Sequence, residues 1–216
     1  MNLPGDDDRA VHDERKPMTD NPTLRQLTGL PAAPAPLAES TLIMIDCQNT
    51  YTRGVMELEG VQEALDQAAE LLAHARDARI PIVHIMHDAG AGSPYDIQDE
   101  IGQIVSRVAP RDGEPVVVKA FPNAFTGTDL NERLQAAPGR DLVLAGFMTH
   151  MCVNSTARGA FSLGYRPSVV AGATATRALP GVDGAMIPAS SLQAASLAAI
   201  ADLFGVVVGQ ASDIPA

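Results

Sequence analysis

Short apolar runs alternate with longer segments of helical period from residue 40 onwards. Each run is hydrophobic at nearly every position, which is typical of strands buried on both faces of a parallel sheet. The predicted strands are "TLIMID" (41–46), "IPIVHIMH" (80–87), "PVVVK" (115–119), "DLVLAGF" (141–147), "RPSVVAGA" (166–173) and "FGVVVG" (204–209). The predicted helices are 61–79, 127–137, 152–164 and 189–204.

This alternation predicts an α/β fold of three layers, in which helices cover both faces of a doubly wound, mostly parallel sheet of about six strands. Before it, residues 1–38 are rich in Pro, Asp and Ala and show no sustained period. The segment "GLPAAPAPLAES" at the end of this stretch is typical of a proline-stiffened linker. We therefore expect an extended or mobile N-terminal arm over 1–38, able to drape over a neighbour, and one domain over 39–216.

The composition of the 216-residue chain narrows the classes of partner. Hydrophobic residues make up 46%, enough for a sizeable core, and the formal net charge is -11. This acidity argues against nucleic acid and against an anionic membrane surface, since both need clustered Lys and Arg. No apolar run reaches the roughly 18–20 residues of a membrane span, and the N-terminus lacks the apolar stretch of a secretory signal. We expect a cytoplasmic protein that acts on a small molecule.

Three chemically reactive side chains follow three of the predicted strands. Asp46 closes the first strand, Lys119 closes the third, and Cys152 lies a short turn beyond the fourth. Ligands of doubly wound folds bind outside the carboxyl ends of the strands, so all three fall where a ligand would sit. Taken singly, each has a structural explanation: a turn cap, a lysine reaching the surface and a buried apolar thiol. Their conjunction favours a functional site.

A cysteine, a carboxylate and a lysine together can form an activated nucleophile. The thiolate is the attacking species, but a thiol with an ordinary pKa of roughly 8.5 is mostly protonated at pH 7. A helix N-terminus and an ammonium near Cys152 would lower that pKa. Asp46 would take the thiol proton and return it to a leaving amine, while Lys119 keeps the carboxylate ionised. Backbone N–H groups between strand and helix would stabilise an oxyanion.

The motifs around these residues resemble the isochorismatase-like cysteine hydrolases over roughly residues 40–209. The motifs are "IDCQN", "VVVKAFPNAFTGTDL", "GFMTHMCVNSTARGAF" and the downstream "VVAGATATRALPG". The resemblance implies a doubly wound fold and a catalytic triad made of the three side chains named above. It also implies a non-proline cis peptide at Phe147–Met148, which would aim the N–H groups of Met148 and Cys152 at the oxyanion.

The resemblance also bears on metal and cofactor use. Nicotinamidases of this superfamily hold a metal with a D-x-H pattern after the second strand, which "HIMHDAGAGSPYD" lacks. His84 and His87 would project to opposite faces of an extended strand, so we expect no metal. The chain has no G-x-G-x-x-G motif after the first strand and no G-K-[ST] loop, so we expect no nucleotide cofactor.

The reaction implied by the resemblance depends on the cysteine. Some isochorismatases lack it and cleave a vinyl ether, for which acid catalysis by the carboxylate suffices. Retention of Cys152 favours covalent hydrolysis, through a thioester, of the C–N bond in an amide, ureide, carbamoyl compound or lactam. Two alternatives stay open: vinyl-ether hydrolysis with Asp46 as acid, and a ligand-binding or regulatory protein without chemistry, because a fold does not fix a function. The family resemblance further implies a homo-oligomer.

The predicted pocket wall is mixed in character and has no dedicated cationic clamp. It comprises Tyr51, His87, Tyr95, Phe121, Phe125, Thr149 and His150. Arg53 is expected to be a solvated loop residue, and His84 a core or interface residue. The loop 88–100, rich in Gly, Ser and Pro, is interpreted as a lid or a subunit contact. Cys47 is expected in the core, because alternation along a strand turns it away from the side of Asp46.

Overall fold

Six parallel strands form the central sheet of this computed structural model, which describes residues 21–137 and 139–216. In chain order the strands are β1 (Ser40–Ile45), β2 (Ile82–His87), β3 (Val116–Lys119), β4 (Asp141–Phe147), β5 (Arg166–Ala175), β6 (Leu179–Pro180), β7 (Met186–Ile187) and β8 (Val206–Val208). The sheet has the order β3-β2-β1-β4-β5-β8 with every neighbouring pair parallel, and β6 pairs with β7 in a separate antiparallel hairpin. The strand order reverses beside β1, so the predicted doubly wound fold is confirmed.

The described part of the chain contains five α-helices. They are α1 (Leu24–Leu27), α2 (Val61–Asp77), α3 (Leu130–Ala136), α4 (Asn154–Ser162) and α5 (Ala189–Ala199). The helix predicted over 152–164 begins later, because Thr149–Val153 forms a π-helical turn closed by a 3.2 Å hydrogen bond from the Val153 N–H to the Met148 carbonyl. The expectation that Cys152 opens an α-helix is therefore wrong, since the residue lies in this wider turn.

Two apolar layers pack on opposite faces of the sheet. Along β1, Leu42 and Met44 contribute to the layer that also contains the buried face of α2. Ile43 and Ile45 contribute to the other layer, together with buried residues of α3 and α4. Because both faces of β1 are covered, the strand is apolar at every position after its first two residues, as the sequence pattern predicted.

β1 and β4 approach each other closely where both strands end. Gly146 of β4 has a φ of 120°, and a Cβ atom there would lie 1.9 Å from the carbonyl oxygen of Ile45, its partner on β1. Only glycine fits this contact. It brings Asp46, which follows β1, next to the turn that follows β4.

Residues 21–38 of the predicted N-terminal arm pack on the domain of their own chain. The Leu24 N–H donates to Asp202 Oδ1 at 2.9 Å, and Leu37 is buried in the core. Residues 1–20 lie outside the described residues, so the contact of the arm with a neighbour stays a prediction. Among the helices of the described ranges, none combines the length and the apolar character needed to cross a membrane.

Candidate active site

The side chains of Asp46, Lys119 and Cys152 meet at the carboxyl edge of the sheet. Asp46 directly follows β1, Lys119 ends β3, and Cys152 lies in the turn after β4. Lys119 Nζ lies 2.8 Å from Asp46 Oδ2 and 3.3 Å from Cys152 Sγ. All three residues are buried, with Cys152 the most accessible at 5% exposure. The structure thus brings together the three reactive side chains that the sequence singled out.

The backbone turns sharply at Asp46. This residue has a φ of 48°, in the left-handed region that residues other than glycine rarely adopt. Such a conformation costs about 1–3 kcal/mol. It is held by the Asp46 N–H, which donates to the Ile85 carbonyl at 3.0 Å, and by the Asp46 carbonyl, which accepts from the Gln48 N–H at 2.8 Å. These bonds fix the carboxylate next to Lys119.

The surroundings of Cys152 favour its protonated thiol, in contrast to the acidic thiol expected from the sequence. Burial, reinforced by the negative charge of Asp46, raises the pKa of Cys152 to about 12, although the Lys119 ammonium acts in the opposite direction. Removal from water therefore outweighs the nearby cation. A thiol with this pKa attacks only if a base takes its proton during the step.

The carboxylate of Asp46 has an oxygen available for that proton. Its Oδ2 meets the Lys119 ammonium as an ion pair without the direction of a regular hydrogen bond, and its Oδ1 is buried with no hydrogen-bond partner among the described residues. Buried polar atoms are nearly always hydrogen-bonded, because an unmade bond there costs free energy. The unpartnered oxygen leaves a lone pair at the site, where the charge of Asp46 acts on the Cys152 thiol.

The turn that carries Cys152 is anchored in the core. The peptide bond between Phe147 and Met148 is cis, at the position that the family resemblance implied. The Phe147 ring is buried with its centroid 5.7 Å from that of Tyr51. Thr149, predicted as a pocket residue, is fully buried, and its hydroxyl donates to the Ala175 carbonyl at 3.0 Å. Its side chain therefore holds the turn to β5, and its contact with a ligand stays a prediction.

Three predicted pocket residues form an aromatic cluster beside these side chains. The Tyr95 ring lies 5.0 Å from the His87 ring and 5.8 Å from the Tyr51 ring. Burial raises the pKa of Tyr51 well above its ordinary value, and the charge of Asp46 adds to this effect. His87 Nδ1 lies 3.2 Å from Lys119 Nζ. The cluster therefore borders the triad, with His87 in direct contact with its lysine.

The other predicted pocket residues are half-buried or exposed. His150 is half-buried, and its Nδ1 lies 2.5 Å from Thr176 Oγ1. Phe121 is 55% exposed, so its side chain faces solvent more than it encloses a pocket. Phe125 stacks on Tyr165 at 5.9 Å, and Tyr165 directly precedes β5 at the amino edge of the sheet. Phe125 is half-buried and packs against the apolar layer that contains Cys152, so its assignment to the pocket wall stays a prediction.

Gln48, which the sequence pattern did not single out, ties two parts of the site together. Its Nε2 donates to the His87 carbonyl at 2.9 Å and to the Gly102 carbonyl at 2.6 Å, while its Oε1 accepts from the His87 N–H at 2.9 Å. The segment after β1 is thereby fixed to the end of β2. The motif "IDCQN" contains this polar residue, but a glutamine side chain is not chemically reactive, so the sequence pattern offered no reason to select it as a site residue.

Arg177 brings a positive charge that the predicted pocket lacked. Burial lowers the pKa of His150, and the charge of Arg177 lowers it further. The Nε of Arg177 is buried and has no hydrogen-bond partner among the described residues. Arg177 could have been found from the sequence, because it lies just beyond the end of β5 and the carboxyl ends of strands, where ligands bind, also identified Asp46 and Lys119. A guanidinium with a free donor can bind an anionic group.

Three residues weighed from the sequence lie outside the site. Cys47 is buried in the core, Arg53 pairs with Glu100 at 3.0 Å on the surface, and His84 Nε2 lies 3.1 Å from Glu114 Oε2 in the interior. Within the part of the chain that the structure describes, no three His, Cys, Asp or Glu side chains converge as metal ligands do.

This chain is similar in sequence and in structure to known proteins. The Isochorismatase domain family model matches residues 40–212. The chain belongs to the isochorismatase family. It is 35% identical over 187 residues to the secreted isochorismatase effector Isc1 of Verticillium dahliae, which covers 86% of this chain and 96% of that protein. A crystal structure of an isochorismatase from Pseudomonas putida has a TM-score of 0.86 at 40% identity and covers 89% of this chain and 98% of that one.

Amidohydrolases are also among the relatives. The maleamate amidohydrolase of Pseudomonas putida is 33% identical over 60% of this chain and 68% of its own length. The family thus consists of hydrolases, several of which are amidohydrolases. Because Isc1 is a secreted protein by its name, the cytoplasmic location expected for this isochorismatase-family chain stays a prediction.

Proposed function

We propose that this protein hydrolyses a C–N bond in a small amide, ureide, carbamoyl compound or lactam through a thioester on Cys152. The observation that carries the proposal is the position of the Lys119 ammonium, 2.8 Å from Asp46 Oδ2 and 3.3 Å from Cys152 Sγ. This arrangement supports a cysteine nucleophile with a carboxylate base and an orienting cation. The similarity to an enzyme named maleamate amidohydrolase supports the same type of bond.

The first half of the reaction forms the thioester. As Sγ of Cys152 attacks the substrate carbonyl carbon, Asp46 takes the thiol proton. The carbonyl electron pair moves to oxygen, and the N–H groups of Met148 and Cys152 would stabilise the resulting oxyanion. Asp46 then gives the proton to the departing nitrogen as the C–N bond breaks. Ammonia or an amine leaves, and the acyl group stays on sulfur.

The second half releases the acid by hydrolysis. A water molecule attacks the thioester carbonyl while Asp46 takes one of its protons, and the C–S bond then breaks. The departing sulfur carries negative charge until Asp46 returns the proton to it. Because burial makes a free thiolate unfavourable at Cys152, the ammonium of Lys119 at 3.3 Å is needed to stabilise that charge in both halves.

One relative favours a second candidate function. Isc1, which has isochorismatase in its name, is 35% identical over 187 residues, which are 86% of this chain. Hydrolysis of a vinyl ether requires an acid that protonates the substrate and no nucleophilic thiol. In that reaction Asp46 would act in its protonated form, and Cys152 would contribute only a wall of the site.

Substitution of the two cysteines tests the two candidates against each other. A panel of small amides, ureides and lactams is assayed for ammonia or amine release, and isochorismate serves as the vinyl ether. Cys152→Ala is expected to lower amide turnover by at least ~1,000-fold and to remove the acyl adduct from intact-mass spectra. Cys47→Ala, which removes the core thiol, is the matched control and should retain turnover and the adduct.

The outcomes distinguish the candidate functions. If Cys152→Ala hydrolyses the vinyl ether at the rate of the wild type, and neither protein hydrolyses an amide, the result favours the ether hydrolase and excludes the thioester route. Failure of the wild-type protein to turn over either class would overturn both enzymatic proposals and favour a ligand-binding protein.

A further inference from the structure

The ammonium of Lys119 has three hydrogens and three neighbouring acceptors. Besides Asp46 Oδ2 and Cys152 Sγ, its Nζ lies 3.2 Å from Nδ1 of His87. The Lys119 side chain has no exposed surface, so its ammonium relies on these three partners: the ion pair with Asp46 and the contacts with Cys152 and His87. Loss of one acceptor would leave a buried charged N–H without a partner, which is unfavourable.

His87 can accept this hydrogen bond in only one protonation state. An ammonium offers donors alone, so Nδ1 of His87 must be unprotonated and the ring proton must sit on Nε2. Burial lowers the pKa of His87 and the charge of Lys119 lowers it further, against the opposing charges of Asp46 and Asp88. The imidazole is therefore neutral at pH 7 and remains an acceptor into the mildly acidic range.

The surroundings of His87 hold both its backbone and its ring. His87 and Lys119 are register partners on the parallel strands β2 and β3, so their side chains leave the sheet on the same face. Gln48 accepts from the His87 N–H and donates to its carbonyl, each at 2.9 Å. The Tyr95 ring meets the imidazole edge-on, with an interplanar angle of 81°. The acceptor is thus fixed relative to the lysine.

We propose that His87 is a positioning residue, which accepts one hydrogen of the Lys119 ammonium and thereby directs the other two at Asp46 and Cys152. This inference rests on the proposed function and gives His87 a role other than the substrate contact expected from the sequence. The titratable groups facing it are Lys119 of β3, Asp46 after β1, Asp88 after β2 and Tyr95 of the following loop.

Acidification provides a way to switch this contact off. Protonation of His87 removes the acceptor and sets an imidazolium against the ammonium, which repels Lys119 from its place. Since the pKa of His87 lies below its ordinary value of about 6.5, the loss should occur on the acid side of that value. Activity and thiol reactivity therefore share one acid limb that belongs to His87.

Two substitutions at His87 separate the roles that the residue can have. His87→Asn puts an amide oxygen close to the position of Nδ1 and does not titrate, whereas His87→Leu fills the space without an acceptor. We expect His87→Leu to lower kcat about 100-fold with KM changed less than ~3-fold, and His87→Asn to lower kcat less than ~10-fold and to lose the acid limb. His74→Asn, on the exposed face of α2, is the matched control and should keep the wild-type profile.

Alkylation of Cys152 by iodoacetamide, followed by mass spectrometry between pH 4.5 and 8, gives a readout that needs no substrate. The rate for any thiol falls about tenfold per pH unit below its pKa. In the wild type and in His74→Asn the fall should steepen where His87 becomes protonated, and in His87→Asn the slope should stay constant. Thermal melting of each variant verifies that it is folded.

The two proposals can fail separately in this design. Histidine-dependent alkylation without turnover of any amide would overturn the proposed function and leave the role of His87 intact. Identical acid limbs in the wild type and in His87→Asn would overturn the inference. An equal rise of KM in both His87 variants, with kcat unchanged, would also overturn it and make the residue a substrate contact.

Discussion

Two clusters of a cation, a carboxylate and a histidine lie at opposite ends of β2 and β3. Their members are Lys119, Asp46 and His87 at the carboxyl edge, and Arg76, Glu114 and His84 toward the amino edge. The chemical composition of the two clusters is nearly the same. What differs is how completely the carboxylate oxygens are hydrogen-bonded.

Both carboxylate oxygens of the amino-edge cluster have hydrogen-bond partners, so this cluster is called saturated. Glu114 Oε1 accepts from Arg76 Nε at 2.8 Å, while Oε2 accepts at 2.8 Å from both Arg76 Nη2 and the Arg111 N–H and lies 3.1 Å from His84 Nε2. The hydrogen bond from Arg76 is the largest cause that lowers the pKa of Glu114 to about 2. Asp46, in contrast, has a buried oxygen with no partner among the described residues. A saturated carboxylate stabilises the fold, whereas an unsaturated one can still take a proton.

Removal of the unsaturated carboxylate should have the largest effect on activity. Asp46→Asn keeps the shape of the side chain but leaves the protonated Cys152 thiol without a base, so kcat should fall about 1,000-fold or more. The measurement is the initial rate on an amide that the wild type hydrolyses. Glu114→Gln, the matched change in the saturated cluster, should keep kcat within ~2-fold. Retention of more than about a tenth of wild-type kcat by Asp46→Asn would contradict the role of Asp46 as base.

Removal of the cation from the carboxyl-edge cluster should lower both the rate and the stability. Lys119→Met leaves the buried carboxylate of Asp46 without a counter-charge, which costs about 3–5 kcal/mol of unfolding free energy. It also removes the charge that stabilises a thiolate at Cys152, so kcat should fall about 100-fold. Urea denaturation and initial rates give the two quantities. A double variant with Asp46→Asn should recover stability but not activity; equal stability of the single and double variants would argue against the ion pair.

The sequence pattern predicted the parts of the site that follow from strand ends. Asp46 and Lys119 were identified because apolar runs show where parallel strands stop, and such a sheet gathers its carboxyl ends at one edge. The protonation of Cys152 could not be predicted, since it depends on how deeply tertiary packing removes the thiol from water. The placement of Phe125 could not be predicted either. That residue lies in a loop, whose path no hydrophobic period encodes.

Glu114 should contribute a pH-dependent share of the stability. Its pKa is lowered from 4.5 to about 2, so its contribution is fully present above pH 4.5 and is lost as the pH falls toward 2. Glu114→Gln should therefore lower the unfolding free energy by on the order of 2 kcal/mol at pH 7. Urea denaturation at pH 7 and pH 3 measures the difference between variant and wild type, which should shrink at the lower pH. An equal difference at both values would mean that the charge of Glu114 is not what stabilises the fold.

Arg76 and Arg177 differ in the same way as the two carboxylates, and the smallest predicted effect, a change of KM, concerns Arg177. Arg76 donates from Nε and Nη2 to Glu114, whereas Nε of Arg177 has no partner among the described residues. A hydrogen bond from a charged donor is worth about 1.5–3 kcal/mol. Arg177→Met should accordingly raise KM about tenfold for an amide that carries a carboxylate and leave KM for a neutral amide unchanged. Steady-state kinetics on such a matched pair decides the point, with Arg177→Lys as the variant that keeps the charge. An equal rise of KM for both amides would show that Arg177 shapes the pocket without binding an anion. Its buried Nε would then have a structural role, like the cluster around Glu114.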